Sequence, residues 1–471
     1  MATNIVVYIL GFIALTNALH TSQLATRVSH EVASATKYDF IIVGGGVSGL
    51  TVADRLTEHP AVKVLVIEAG PLDDGREGVT IPGAYDPAAY IWQPLTSQPQ
   101  TALNNRTFLA TCARVVGGGS VVNAMVYLRG AKPEYAAWEE LGAKGWAWDD
   151  LLPYFKKSES FTLPSEQFAA EANISWVESA HGTEGPVQAS YPNYYFPGSD
   201  HPSLTIPYTF KNNAMPNTDM LDTNATYDAE QRDLYNTARE GAYTIVRGLG
   251  TMLANPPLRN TTSNWKDIVS SARVAHVSTS LPSNLHPTVR AGYIAQREHI
   301  LSQLEGPDVP VGLIHWTTGR VATITLLKPL SRGSVNIKST DPRAPPLVDF
   351  GTATDPLDLD LFLATFGKNR EIMSTPYMQS LGPHEAAPFG DNITSIEQLK
   401  VIFAATMGVT GGHECCTAAM MPRNMGGVVD PRMKVYGVEG LRVVDTSFWP
   451  MLLTAPPLAT TYAVGEKMPT S

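Results

Sequence analysis

A chain of 471 residues, 44% of them hydrophobic, has the length for two or three domains and the material for a sizeable core, which excludes a small stapled module. Its 44 acidic and 34 basic residues leave a net charge of -10, and only 17% of residues are charged, so a protein built to neutralise nucleic-acid phosphates is excluded as well. The 38 glycines and 35 prolines describe a turn-rich globular protein, and three cysteines cannot build a disulfide framework.

The first 18 residues hold the longest apolar stretch, Ile5 to Leu15, followed by Thr16-Asn17-Ala18 with small residues where a signal peptidase reads. This predicts a secretory leader over 1–18, with a buried anchor helix as the alternative because no Lys or Arg precedes the run. The run is too short for a membrane span of about 20 residues, and no other segment is long and apolar enough, so no membrane contact is expected once the leader is removed. Sequons at Asn105, Asn173, Asn224, Asn260 and Asn392 are compatible with secretion and are the candidate glycosylation sites.

After a polar linker, Tyr38 to Val43 reads as a buried parallel strand, being apolar, β-branched and bounded by glycine. Gly44-Gly45-Gly46-Val47-Ser48-Gly49 follows, then helical spacing over Leu50 to Glu58, then a second strand, Lys63 to Glu68. A GxGxxG between a strand and a helix is a dinucleotide fingerprint: Gly44 allows the tight turn, Gly46 the approach of a pyrophosphate, Gly49 close packing of helix on strand. Val47 and Ser48 lie in this turn, ahead of the helix whose N-terminus favours the negative charge. Glu68, at the end of the second strand, is placed to accept hydrogen bonds from the adenosine ribose, and its charge disfavours a 2′-phosphate.

Ala113 to Tyr127 is a second segment of glycines and small residues, leading into Arg129-Gly130. It is either a structural loop or the bare backbone that a flat isoalloxazine ring requires beside it. The middle, from Pro153 to about Leu399, mixes proline-rich loops with amphipathic stretches at Asp228 to Leu249 and Asp358 to Met373, and predicts short strands of a mixed sheet at Arg332 to Ile337 and Pro346 to Phe350. From Gly411 onward the chain is again glycine-rich. Gly440 to Asp445 reads as a strand, and Ala459-Thr460-Thr461 opens a helix.

In order, DFIIVGGGVSGLTVADRL, LVIEAG, ARVVGGGSVVNAMVYLRG, GWAWDDLLPYFKKSE, SRGSVNIKSTDP, GGVVDPRMKVYGVEGLRVVDTS and ATTYAVGEK make the chain resemble the glucose-methanol-choline (GMC) flavoprotein oxidoreductases from about Tyr38 to Lys467. The resemblance implies an α/β fold: a Rossmann-like FAD-binding domain built from both chain ends, 36–150 and 411–471, with an α+β substrate domain carrying a mixed sheet at 151–410. Its cofactor is FAD. Candidate cofactor contacts, beyond the first glycine loop and Glu68, are Val116, Gly118, Ser120, Asn123, Ala124, Met125 and Val126, with Asp445 toward the flavin side chain and Thr460 at a helix end facing the ring.

The family reaction is hydride transfer from an alcohol carbon to flavin N5, aided by a histidine base, with oxygen or a quinone-type acceptor reoxidising the flavin. Gly412-His413-Glu414-Cys415-Cys416 aligns with the segment carrying that base, so His413 is the candidate; imidazole suits proton abstraction near neutral pH. Three departures stand out. Cys416 replaces a usual glycine and could be tolerated, react, or bridge to Cys112. Pro456 stands where the family has a histidine or asparagine partner, and proline cannot exchange a proton. Between Ser199 and Asp200 an internal stretch with central flavin-domain strands is missing.

The resulting expectation is a secreted FAD-dependent oxidase or dehydrogenase of a primary aryl or other small hydrophobic alcohol, in a role such as secondary metabolism. The alternatives are a non-redox cyclase or dehydratase on the same fold and an inactive, truncated paralogue. An NAD-dependent dehydrogenase has only the GxGxxG in its favour.

Overall fold

The computed structural model describes residues 6–10 and 26–468 apart from 93–94, 172–173, 192–203, 211–218, 247–251, 276–280, 283–284, 317–320, 342–343 and 410. Near the start, Val6–Leu10 (β1), Thr26–Val28 (β2), Phe40–Val43 (β3), helix Val47–Thr57 (α1) and Val64–Glu68 (β4) build a sheet of order β2-β1-β4-β3 with α1 as its crossover. β3 and β4 run parallel, Phe40 opposite Val64 and Val43 opposite Ile67. β1, which lies within the stretch read as a leader, pairs antiparallel with the other edge of β4. Val64 and Val66 bury against Ala53 of α1, the contact expected of a right-handed crossover.

β3 corrects one expectation. It reads as a buried strand, yet Ile41 is 61% and Val43 83% exposed. Among the described residues only β4 pairs with it, so its far edge is bare. An apolar strand open on one side is what remains when a neighbouring strand is removed, in keeping with the missing internal stretch. The junction itself, Ser199-Asp200, lies outside the described residues.

Helices Lys132–Glu140 (α2) and Trp148–Ser158 (α3) follow. α3 carries Asp149 and Asp150 in its first turn and Lys156 and Lys157 in its last, matching the helix dipole at both ends. Leu151 and Phe155, four apart, are its buried face.

The middle of the chain supplies Leu204–Phe210 (β5), Met252–Ala254 (β6), helix Pro287–Glu305 (α4), Gly312–Trp316 (β7), Val321–Leu326 (β8), helix Pro356–Met373 (α5) and Pro383–Glu385 (β9). The strands form a sheet of order β9-β5-β8-β7-β6. Leu204, Ile206 and Tyr208 alternate inward with period two and meet Phe362 and Phe366 of α5. Every described pair in this sheet is antiparallel, in place of the mixed sheet expected. The strands anticipated around 332–337 and 346–350 exist as Ser334–Asn336 and Leu347–Asp349 but, among the described residues, form a sheet only with each other. The amphipathic stretch from Asp228 is helical from Ala225 only to Ala238, where Arg239 turns left-handed at φ 57°.

Near the start of α5, Asp358 is buried and accepts hydrogen bonds from the amides of Leu330 (2.7 Å) and Ser331 (3.1 Å). Burial pushes its carboxyl up to about 6, against those hydrogen bonds, from an ordinary 3.8. Protonation therefore favours the folded chain: this contribution is complete below 3.8 and is lost as pH rises through about 6. Urea titrations at pH 4, 5, 6 and 7 should show Asp358→Asn lacking that part of the wild-type fall. Parallel curves for the two proteins would refute the assignment.

The last helix, Leu458–Lys467 (α6), returns to the beginning of the chain. Glu466 pairs with Arg55 of α1 at 2.8 Å and Lys157 of α3 at 3.2 Å. A Cβ on Gly465 would fall 2.8 Å from Thr51 Cβ, so only glycine lets α6 approach α1 this closely. Ala459, Ala463 and Val464 share one core with Tyr135, Trp138 and Phe155, so the largest apolar cluster draws on both halves.

Candidate active site

Two glycine turns meet at the head of α1. Gly44 sits at φ +104°, Gly117 at +100° and Gly118 at +55°, a region favouring glycine. The turns touch directly: the Gly117 amide donates to the Gly45 carbonyl at 2.8 Å, and a Cβ on Gly118 would lie 2.8 Å from Gly46 Cα. A Cβ on Gly49 would lie 2.1 Å from the Gly44 carbonyl oxygen, which fixes the strand-to-helix turn. Glu68 is buried beneath, its two oxygens accepting from the amides of Gly45 and Gly70, each at 2.7 Å. It pins the loop, and each oxygen keeps a second lone pair.

The cradle suits a pyrophosphate. α1 begins at Val47 with no side-chain cap, leaving its first-turn amides for an anion. Ser48 Oγ beside them is buried and has no hydrogen-bond partner among the described residues, a costly arrangement unless a ligand oxygen satisfies it.

This cradle opens into a cavity of about 1460 Å³ whose walls come from the glycine turns, the 122–126 segment, strands β7 and β8, residues 411–414, 440–446 and the 452–458 loop. Gly44, Gly46, Val47, Ser48, Gly49, Gly118, Asn123, Ala124, Met125, Val126, His413 and Asp445 all line it. Four candidates do not: Glu68 and Val116 lie behind the turns, Ser120 Oγ donates to the Gly117 carbonyl at 2.8 Å, and Thr460 Oγ1 bonds Tyr135 at 2.9 Å. Thr461, one residue on, does reach the cavity. Asn123 folds back on its own turn, donating to Ser120 O at 2.6 Å and accepting from the Met125 amide at 2.5 Å, which holds Met125 at φ 62° with its side chain exposed.

The segment bearing His413 is laid on the turn at 445–448: the Cys416, Ala418 and Met420 amides donate to the carbonyls of Thr446, Ser447 and Phe448, and Thr446 Oγ1 donates to the Glu414 carbonyl at 2.9 Å. Gly440 to Asp445, expected as a strand, is a loop with one bridge, Lys434 to Arg442, because Gly437 and Gly440 turn at φ +79° and +73°. Asp445 caps the short turn after it, accepting from the Ser447 amide at 2.8 Å.

Cys416 sits at φ 72°, the left-handed backbone that explains the usual glycine, and it is bonded to Cys415; Cys112 is free. The bridge to Cys112 weighed from the sequence is therefore replaced by one between neighbours.

Another stretch of wall, Leu452 to Pro456, hangs with the adjoining Met451 from buried donors and acceptors. Trp138 Nε1 donates to Met451 O (2.9 Å) and Lys328 Nζ to Leu452 O (2.9 Å). Glu134, fully buried, accepts from the Thr454 amide (2.9 Å) and Thr454 Oγ1 (2.6 Å) and forms an ion pair with Lys328. Pro456 lies on this wall and α6 begins just beyond it; Thr461 is the amide that bonds back to Pro457, so those before it lack an intrahelical acceptor. Sequence reasoning missed Cys112, Glu414 and the buried His315 of β7 as cavity residues. The Cys-Cys pair beside His413 was the visible signal for the first two; nothing local marks His315.

Sequons Asn105, Asn224, Asn260 and Asn392 are exposed, while Asn173 lies outside the described residues.

Two family models, both described as GMC oxidoreductase, match residues 38–203 and 329–465. The dehydrogenase xptC of Emericella nidulans is 35% identical over 609 aligned positions, covering 99% of this chain and 98% of that protein. Since this chain has 471 residues, at least 138 of those 609 positions are unfilled in it. Among solved structures, an FAD-dependent oxidoreductase from Chaetomium thermophilum is 41% identical with a TM-score of 0.89, over 92% of this chain and 98% of that one. A fungal aryl-alcohol oxidase is 27% identical with a TM-score of 0.81, again over 92% and 98%. With its nucleotide cradle, its shared core from both chain ends and these matches, the chain belongs to the GMC oxidoreductase family and its cofactor is FAD.

Proposed function

We propose that this FAD-dependent oxidoreductase oxidises a primary aryl or other small hydrophobic alcohol to its aldehyde. The observation that carries this reading is that His413 lines the same cavity as the glycine cradle. Bound FAD supplies acceptance of the hydride from the alcohol carbon. The chain's own part is to hold the alcohol and manage its proton: His413 takes the hydroxyl proton, and Leu313, Leu326, Trp449, Leu452 and Leu453 present an apolar wall to the substrate carbon skeleton. The similarity to an aryl-alcohol oxidase supports the substrate class. In this reading oxygen or a quinone-type molecule removes the electrons.

The FAD would lie with its pyrophosphate on the Gly44–Gly49 turn and first turn of α1, its ribose toward Glu68, and its pyrimidine end toward the start of α6, where amide dipoles favour negative charge. Gly118→Ala places a Cβ against Gly46 at a φ of +55°. At the cost of about 1–3 kcal/mol for such strain, it should lower FAD affinity about tenfold or more, read by fluorescence quenching on FAD titration. Unchanged affinity would move the pyrophosphate elsewhere.

Anaerobic addition of benzyl alcohol to the FAD-loaded protein tests the reaction. Bleaching of the flavin bands with aldehyde formed is the expected result. A second reading, a non-redox cyclisation or dehydration, is favoured by Pro456, which leaves the wall without a proton-exchanging partner. A yellow protein that no alcohol bleaches would support it over oxidation.

A further inference from the structure

Pro456 occupies the wall where a second proton-exchanging group is expected, yet the cavity contains another candidate. Glu414 follows His413 directly and lines the cavity with it. Its Oε1 is buried with no hydrogen-bond partner among the described residues, an expensive state for a carboxylate oxygen that serves only packing. Its backbone is fixed, because its carbonyl accepts from Thr446 Oγ1 at 2.9 Å and the next-but-one amide is held by the Thr446 carbonyl.

Burial pushes the Glu414 carboxyl up, and the amides of Gly412 and of Glu414 itself pull it partly back down. Burial and the Glu414 charge together push the Cys112 thiol up, and both Cys112 and His413 line the cavity with Glu414. A carboxyl that burial holds above the ordinary carboxylate range binds a proton more readily than a solvated one, which suits it to take one up within the cavity.

We propose that Glu414 is a second proton-transfer group of the active site, in the role Pro456 cannot fill. This rests on the oxidation reading above. The O–H bond of the alcohol breaks with its proton passing to His413, and from the imidazolium the proton passes to the Glu414 carboxylate. The C–H bond breaks with its electron pair, and that hydrogen goes to FAD. The alcohol is thereby oxidised by two electrons to the aldehyde, FAD is reduced by two, and the carboxyl proton returns to water.

The test uses Glu414→Gln and Glu414→Asp in the FAD-loaded chain, with two readouts. Stopped-flow reduction by benzyl alcohol should slow about 10²-fold in the glutamine variant, whose pH profile loses one ionisation, and recover in part with aspartate. Independently of turnover, iodoacetamide should alkylate Cys112, the one free thiol, about threefold faster at pH 8 in the glutamine variant, because a nearby negative charge is gone. Wild-type reduction rate and pH profile in Glu414→Gln, or an unchanged Cys112 profile, would overturn the proposal. A wild-type protein that fails to bleach while the Cys112 shift is present overturns the oxidation reading instead.

Discussion

Replacing His413 with alanine is expected to abolish reduction of the flavin by alcohol while leaving FAD bound. The loss should be at least 10²- to 10⁴-fold, the usual contribution of a positioned general base, because an alcohol gives up hydride readily only as its hydroxyl proton leaves. Cofactor binding should persist because the cradle is made elsewhere, from the amides and glycines of 44–49 and 117–118, whose mutual contacts involve no group of the 411–416 segment. Anaerobic spectra of the two proteins at equal flavin content provide the measurement. Bleaching of the alanine variant at the wild-type rate would remove His413 from the chemistry.

Breaking the buried ion pair should have the largest effect on stability. Lys328 and Glu134 are both buried, and they join the segment after β8 and α2 to the loop that forms one wall of the cavity. Burial lowers the proton affinity of Lys328 while Glu134 opposes this, so the amine depends on its partner. Lys328→Met leaves the Glu134 charge in an apolar surrounding and the Leu452 carbonyl without its donor. A cost of about 3–5 kcal/mol in urea unfolding is expected. Adding Glu134→Gln removes the stranded charge while leaving an acceptor for Thr454, so the double variant should recover a large part of the loss. A single-variant cost below about 1 kcal/mol would contradict this account, since it is the range of an exposed pair.

What was legible in the sequence is what local pattern encodes. The β3-α1-β4 unit follows from an apolar run, three spaced glycines and a second apolar run, and the convergence of both chain ends follows from the order of the motifs. The exposure of β3 was not legible, because burial of a strand depends on partners distant in sequence, and among the described residues only β4 pairs with it. Glu134 with Lys328 and Thr460 with Tyr135 are hidden for another reason: each pair joins positions far apart in sequence, and neither partner carries a local signal. Asp445 shows the opposite error. Leu441 to Val444 has strand composition, but the turns at Gly437 and Gly440 break the pairing that composition alone suggested. Glu414 is hidden too, because a charged side chain gives no local sign of its burial.

The seam between α1 and α6 constrains how the protein is made. The head of α1 is translated about 400 residues before the helix that completes it. At about 5–20 residues per second, the nascent nucleotide fold waits about 20 to 80 s for its final piece to leave the ribosome. During that interval its apolar surface has no partner, which makes chaperone attendance and slow synthesis determinants of yield. Supplying flavin early in expression cannot shorten the wait, since the last ten residues of the seam do not yet exist.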